Sequence, residues 1–236
     1  MFSIYVYCDS GVTQFEREAI KRGLSGIIST FGCEVYFYGS DRWSIGRYKS
    51  ADEIMRASPR NARGQVNASV TLEILREVAN SRIEPCAVVL ITSQDLYAVG
   101  YNWCFGMAMT SYRATVQSIC RYRHLPDDIR AFCIRRTLRH EVGHLFRCAA
   151  NLSRTNTEEK CGPHCTNPHC SMKQTMSISE LVDRRFYEND EAFLCDQCLE
   201  DMRRFKIGYE NDERRKRMLI EAAREAAAGA YGTRRL

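Results

Sequence analysis

The 236 residues contain no stretch apolar enough to span a bilayer as a helix. The longest clean apolar run covers residues 86–91, against roughly 20 residues for a membrane-spanning helix. The opening residues 1–8 lack a basic leader, a long apolar segment and a small-residue cleavage site, so they read as a strand and the expected setting is a reducing cytoplasm. Charge of one sign is not in large excess either. Lys and Arg number 34 against 29 Asp and Glu, a net charge of +5, and no basic block dominates, which leaves nucleic acid and membrane surfaces without an argument. No repeat of solenoid period is present. By contrast, 44% hydrophobic and 10% aromatic residues supply a real core, which excludes a disordered chain and a disulfide-dependent miniprotein. Twelve cysteines in such a chain point to metal binding or catalysis before disulfides.

Periodicity gives the organisation. Ile4, Val6 and Cys8 alternate along a strand, and Phe15, Ala19, Ile20, Leu24, Ile27 and Ile28 recur at helical spacing up to a stop at Gly32. A second β-rich run covers residues 33–38, closed by Gly39-Ser40-Asp41, and residues 42–64 read as polar and irregular. Val66, Val70, Leu72, Ile74, Leu75 and Val78 predict a helix to about Asn80, with Pro85 separating it from the next strand. Residues 86–92 form a nearly continuous apolar run, the pattern of a central strand covered on both faces. Short strands follow near residues 105–110 and 115–120. Pro126-Asp127-Asp128 then starts a long helix through Ile129, Phe132, Cys133, Arg136, His140 and His144. Beyond Arg147 the chain turns polar and cysteine-dense, which sets an expected division into residues 1–147 and 148–236. Helical patterns return at 188–205 and 211–228, where Glu213 stands four residues before Arg217.

The long helix carries HExxH as His140-Glu141-Val142-Gly143-His144. Residues four apart on a helix differ by about 40° and about 6 Å in rise, so both imidazoles can reach one zinc ion. Glu141 lies beside that face, where it can take a proton from a zinc-activated water as general base. A catalytic zinc needs a third protein ligand. His124, His164 and His169 are the remaining histidines; His124 reads as a loop residue and His169 as filler inside a cysteine spacer. Cys165 and Cys170, with Cys195 and Cys198, form two short chelating loops able to close a four-cysteine zinc site. His164 directly precedes Cys165, so a structural zinc on Cys165 would fix the backbone from which His164 reaches the catalytic zinc. Cys8, Cys33, Cys86, Cys104, Cys120 and Cys133 read as small buried hydrophobes, and Cys148 and Cys161 as free thiols.

Together these motifs resemble the archaemetzincins, zinc metallopeptidases of the metzincin group. The family carries HExxHxxG, then a His-Cys pair, Cys-x-Met and a later CxxC. Here stand His140 to His144, His164-Cys165, Cys170-Ser171-Met172 and Cys195-Asp196-Gln197-Cys198. Thr92-Ser93-Gln94-Asp95-Leu96-Tyr97 and Asn102-Trp103-Cys104-Phe105-Gly106-Met107-Ala108 also resemble its strand and edge region. The likeness covers about residues 4–198. It implies an α/β metzincin-like fold with a twisted mixed β-sheet backed by helices and a smaller zinc-stabilised C-terminal subdomain. It also implies two Zn2+ per chain, a catalytic zinc on His140, His144 and His164, a structural one on Cys165, Cys170, Cys195 and Cys198, and a peptide or protein substrate along residues 105–110.

By the same resemblance Met172 is the Met-turn residue, with Met176 as the alternative. The sequence departs from the pattern where Arg147 replaces the glycine after HExxH and His164 follows 164 − 147 = 17 positions later, an insertion of about 14 residues that forces a new path to the third ligand. A competing expectation is an inactive zinc-stabilised binding homologue, with Cys148 or Cys161 as a fourth ligand. A nucleic-acid module built on Arg214-Arg215-Lys216-Arg217 ranks behind both, because Glu210, Asp212 and Glu213 adjoin that cluster.

Overall fold

The computed structural model describes residues 2–39, 48–81 and 86–232, with side chains to residue 221 apart from 213, 216 and 217. Ser40, Asp41, Pro85 and the side chains of the Glu213–Arg217 pair therefore lie outside the described residues. In chain order the elements are β1 (Ser3–Cys8), α1 (Gln14–Phe31), β2 (Glu34–Gly39), α2 (Ala51–Ala57), β3 (Val66–Asn67), α3 (Ala68–Asn80), β4 (Cys86–Thr92), β5 (Leu96–Ala98), β6 (Tyr101–Cys104) and β7 (Gly106–Met109). Then come β8 (Ala114–Ser118), α4 (Asp127–Leu145), β9 (Thr157–Glu159), β10 (Pro163–Cys165), α5 (Ile178–Asp183) and α6 (Asp196–Gly232).

The main sheet has the order β2-β1-β4-β8-β7. Its first four strands are mutually parallel, and β7 pairs antiparallel with β8 at one edge. β4 is thus central and wholly buried, as its unbroken apolar run predicts. Strand alternation divides the core in two. Ile4, Val6, Cys8, Ala87, Val89 and Ile91 face the layer of α1 and α4. Tyr7, Val88 and Leu90 face the layer of α2 and α3. The α4 side continues without a break into the C-terminal segment through Met172, Phe193 and Cys198.

Local chemistry explains the boundaries. Thr13 and Glu16 close a capping box on α1, and Gly32, at φ 58°, ends it in the left-handed region. Two positions of the predicted apolar face are exposed instead, Phe15 and Ile28, and the Arg130 guanidinium covers the Phe15 ring at 4.6 Å. Within the segment read as irregular, Ser50 caps α2 by accepting from the Glu53 amide. The two C-terminal helical patterns are one 37-residue helix, α6, and residues 188–195 precede it as non-helical chain. No helix among the described residues is long and apolar enough to cross a membrane.

Candidate active site and metal centres

α4 runs beneath β7 and β8 and delivers the HExxH residues to the cleft. Asp127 and Asp128 sit in its first turn, where the helix dipole favours negative charge. Its far end is a Schellman turn: the Cys148 amide donates to Gly143 O and the Arg147 amide to His144 O, both at 3.0 Å. Arg147 accordingly has φ 59°, the left-handed conformation usually reserved for glycine. The helix therefore stops where a family glycine would stop it, with an arginine in that place. Thr110, just past β7, also donates to His144 O at 2.9 Å.

Beyond this turn the inserted segment descends to a hairpin of β9 and β10, where His164 pairs with Glu158. The hairpin brings His164 back to the helix. The rings of His140, His144 and His164 lie 4.8, 4.9 and 5.1 Å apart, centroid to centroid. His140 Nδ1–H donates to Ser171 O at 2.8 Å and His164 Nδ1–H to Gly162 O at 2.9 Å. Each bond leaves an Nε2 lone pair for a cation, the outer-shell arrangement typical of zinc-binding imidazoles. His140 Nε2 and His144 Nε2 are 3.2 Å apart; two nitrogens about 2.0–2.1 Å from one tetrahedral zinc would stand about 3.3 Å apart. The donor set fits. Burial holds all three imidazoles in the neutral form, His144 pushed down to about 3.

Glu141 is 5% exposed and burial pushes its carboxyl up to about 8, with Arg136 opposing. Its side chain lies against Gly106 of the edge strand. Met172 is fully buried, and a Cβ on Gly143 would overlap its sulfur. Met172 O also accepts from the Cys165 amide at 3.0 Å, so one turn braces both groups of candidate ligands. Met176 is 38% exposed, farther out along the same cleft wall.

Cys165, Cys170, Cys195 and Cys198 converge as a second group. Cys165 Sγ to Cys195 Sγ and Cys170 Sγ to Cys198 Sγ are both 3.6 Å. A disulfide would need about 2.05 Å, whereas sulfurs about 2.3 Å from one tetrahedral zinc stand about 3.8 Å apart. This set also fits zinc. Hydrogen bonds from neighbouring thiols push Cys165 and Cys195 down, and hydrogen bonding within the same group pushes Cys170 and Cys198 up. Cys195 stands just before α6, its carbonyl accepting from the Leu199 amide, and Cys198 lies in the helix's first turn.

The histidines and Glu141 line a cleft of about 640 Å³ whose opposite wall includes Trp103, Phe105 and Met107. Among the described residues neither Cys148 nor Cys161 joins the histidine group. Cys148 is buried and donates to Cys198 O; Cys161 is exposed and accepts from the Tyr101 hydroxyl at 3.1 Å. His124 and His169 stand outside both groups, the latter donating from Nδ1 to Tyr187 O. Cys104 and Cys120 are half-buried, unlike Cys8, Cys33, Cys86 and Cys133.

Sequence reasoning missed the supporting shell. Arg136 forms a buried ion pair with Glu188, and Glu188 accepts from Ser171 Oγ beside the carbonyl that orients His140. Arg154 and Asn156 reach the cysteine sulfurs from the insertion. Single polar residues in an irregular stretch offer no periodic signal by which to find them.

A mixed sheet with an antiparallel edge, set over a helix bearing HExxH and a returning third histidine, is the build of a zinc metallopeptidase, and the chain is a hydrolase of that class. More narrowly, it belongs to Peptidase family M54, whose family model matches residues 47–204. It is 30% identical over 142 residues to the archaemetzincin of Methanopyrus kandleri, covering 60% of this chain and 68% of that protein. It is 27% identical over 187 residues to the archaemetzincin of Natronomonas pharaonis, covering 75% and 88%. The fold matches the crystal structure of the Methanopyrus kandleri archaemetzincin with a TM-score of 0.63 at 21% identity, over 86% of this chain and 94% of that one. It matches a zinc-dependent peptidase from Methanocorpusculum labreanum with a TM-score of 0.57 at 18% identity, over 84% and 99%.

Proposed function

We propose that the chain hydrolyses peptide bonds with Glu141 as general base, at a site where His140, His144 and His164 hold one zinc ion. Bound zinc would supply Lewis acidity toward a peptide carbonyl and make a water more acidic. Glu141 takes the proton from the attacking water as its oxygen bonds to the carbonyl carbon. It returns that proton to the amine nitrogen as the C–N bond breaks. The outer edge of β7, the last strand of its sheet, offers backbone hydrogen bonds to an extended peptide.

Cys165, Cys170, Cys195 and Cys198 hold a second, structural zinc, and Met172 is the Met-turn residue. Residues 148–236 act as the smaller zinc-stabilised part beside residues 1–147. Twelve cysteines, four of them converging as one chelating group, support a reducing cytoplasm as the setting. One observation carries this reading: three imidazoles converge beside the buried carboxyl group of Glu141 within a cleft bounded by the edge of the sheet. The test is cleavage of a peptide library by the zinc-loaded chain. Glu141→Gln should keep two zinc ions per chain and lose roughly 10²–10⁴-fold in rate. Undiminished cleavage by that variant would overturn the assignment.

A further inference from the structure

After Cys148 and Ala149, which join the core, the inserted segment has little apolar surface to bury. Residues 151–163 are exposed or half-buried throughout, and Leu152 is 51% exposed. Their order has another source. The Arg154 side chain is only 7% exposed and turns inward from this polar loop. Its Nε donates to Thr157 Oγ1 at 2.5 Å, one terminal nitrogen pairs with the Asp201 carboxylate on α6, and the other donates to Cys198 Sγ at 3.1 Å. The same Asp201 oxygen accepts from the Ala149 amide at 2.9 Å, just after the end of α4. Thr157 opens β9 directly opposite Cys165, the neighbour of His164. Two residues on from Arg154, Asn156 Nδ2 meets Cys195 Sγ at 3.6 Å and Asn156 O accepts from the Thr166 amide at 2.9 Å.

Resting on the two-zinc reading above, we propose that Arg154 is a positioning residue: it clamps the inserted loop onto the cysteine cluster and α6, and so holds His164 in the histidine site. Four thiolates around a divalent cation carry a net charge of −2, and a guanidinium touching one sulfur forms a charge-assisted hydrogen bond there. Neutral thiols are weak acceptors by comparison. Without the guanidinium the loop loses its ties to Asp201 and Cys198 together, anchors that its own composition does not replace. Arginine suits the task because its planar fork serves three partners in fixed directions, where a lysine ammonium would serve them as a point charge.

The test uses the full chain with cobalt(II) as the probe. Thiolate-to-cobalt charge transfer reports the cysteine site, and the weaker d–d bands report the histidine site. Wild type should fill both. Arg154→Gln should still develop the thiolate band while binding its second cobalt at least about 10-fold more weakly, the usual cost of losing an outer-shell partner. Arg154→Lys should recover part of that loss. An unchanged second-site affinity in Arg154→Gln overturns the proposal. If that variant does not fold, Asn156→Ala serves in its place and should weaken the second site in the same direction, an unchanged affinity again being the overturning result. A wild-type chain without the thiolate band would overturn the two-zinc reading itself, which separates the two failures.

Discussion

Gly106 on β7 and Glu141 on α4 are packed so tightly that a Cβ at residue 106 would stand 2.6 Å from Glu141 Oε1 and 2.8 Å from its Cδ. The strand offered to substrate and the proposed proton acceptor thus share one surface. Glycine keeps the carboxylate close to the edge on which a peptide would lie. Gly106→Ala should turn the carboxylate away and lower kcat/KM by on the order of 10²-fold, the scale of an ångström-sized misplacement. Zinc content, measured by atomic emission, should stay at the wild-type value. Full activity in this variant would show that the Glu141 position is not set by the strand.

Arg147 holds a left-handed backbone, φ 59°, inside a Schellman turn that glycine would form without strain. The non-glycine penalty in that region is about 1–2 kcal/mol. Arg147→Gly should therefore stabilise the chain by about 1 kcal/mol, or a rise of about 2–4 °C in thermal midpoint for a chain of this size. Arg147→Ala keeps the Cβ and serves as the control. It should gain nothing, and an equal gain in both variants would assign the effect to the arginine side chain instead.

How much of this was legible in the chain follows from where the information lies. α4 was, because Pro126, two aspartates and an apolar period all agree on one helix, and HExxH fixes its business face. The cysteine group was, because its spacings are those of two short chelating loops. α2 was not: Ile54 and Met55 are its large buried side chains, too few for a period, and its Ser50 cap is visible only once the helix is known. The 37-residue span of α6 was not, because its polar middle breaks the apolar pattern while helix propensity carries it through. The path of the insertion was hidden most completely. The sequence shows that glycine is missing at 147, yet the arginine adopts the glycine conformation, and the return to His164 depends on side-chain contacts of Arg154 and Asn156 that no local pattern encodes.

Acid should release the histidine-site zinc late. Unfolded histidines take up protons near pH 6.5, whereas burial holds the three folded imidazoles below that, His144 down to about 3. A depressed folded value means that stability is complete above the unfolded value and declines as pH falls through the window toward the folded one. In the same window His144 remains unprotonated, and His140 and His164 take up protons less readily than free imidazole, so the ligands stay more available to the cation. Gel-filtered protein should thus retain its histidine-site zinc at about pH 5.5, while the thermal midpoint already declines from its value near neutrality. Zinc release tracking an ordinary imidazole titration near pH 6.5 would contradict this.

Gly143 and Met172 form a contact whose energetic sign can be reversed. Gly143 lies between His140 and His144 in the HExxH turn, and a methyl group there would overlap the Met172 sulfur, which is fully buried and has no open space to enter. Gly143→Ala should therefore destabilise the chain by about 1–3 kcal/mol, the range for overpacking a filled interior. Met172→Ala alone removes the obstacle and leaves a void, at a cost of about 2–5 kcal/mol. In that second background the alanine at 143 has room, and its better helix propensity is worth up to about 1 kcal/mol over glycine. The same substitution should then stabilise. Denaturant melts of the wild type, both single variants and the double variant measure this directly as a coupling energy. Additive effects would mean that the two residues are not in energetic contact, and would count against the proposed role of Met172 as the support beneath the histidine pair.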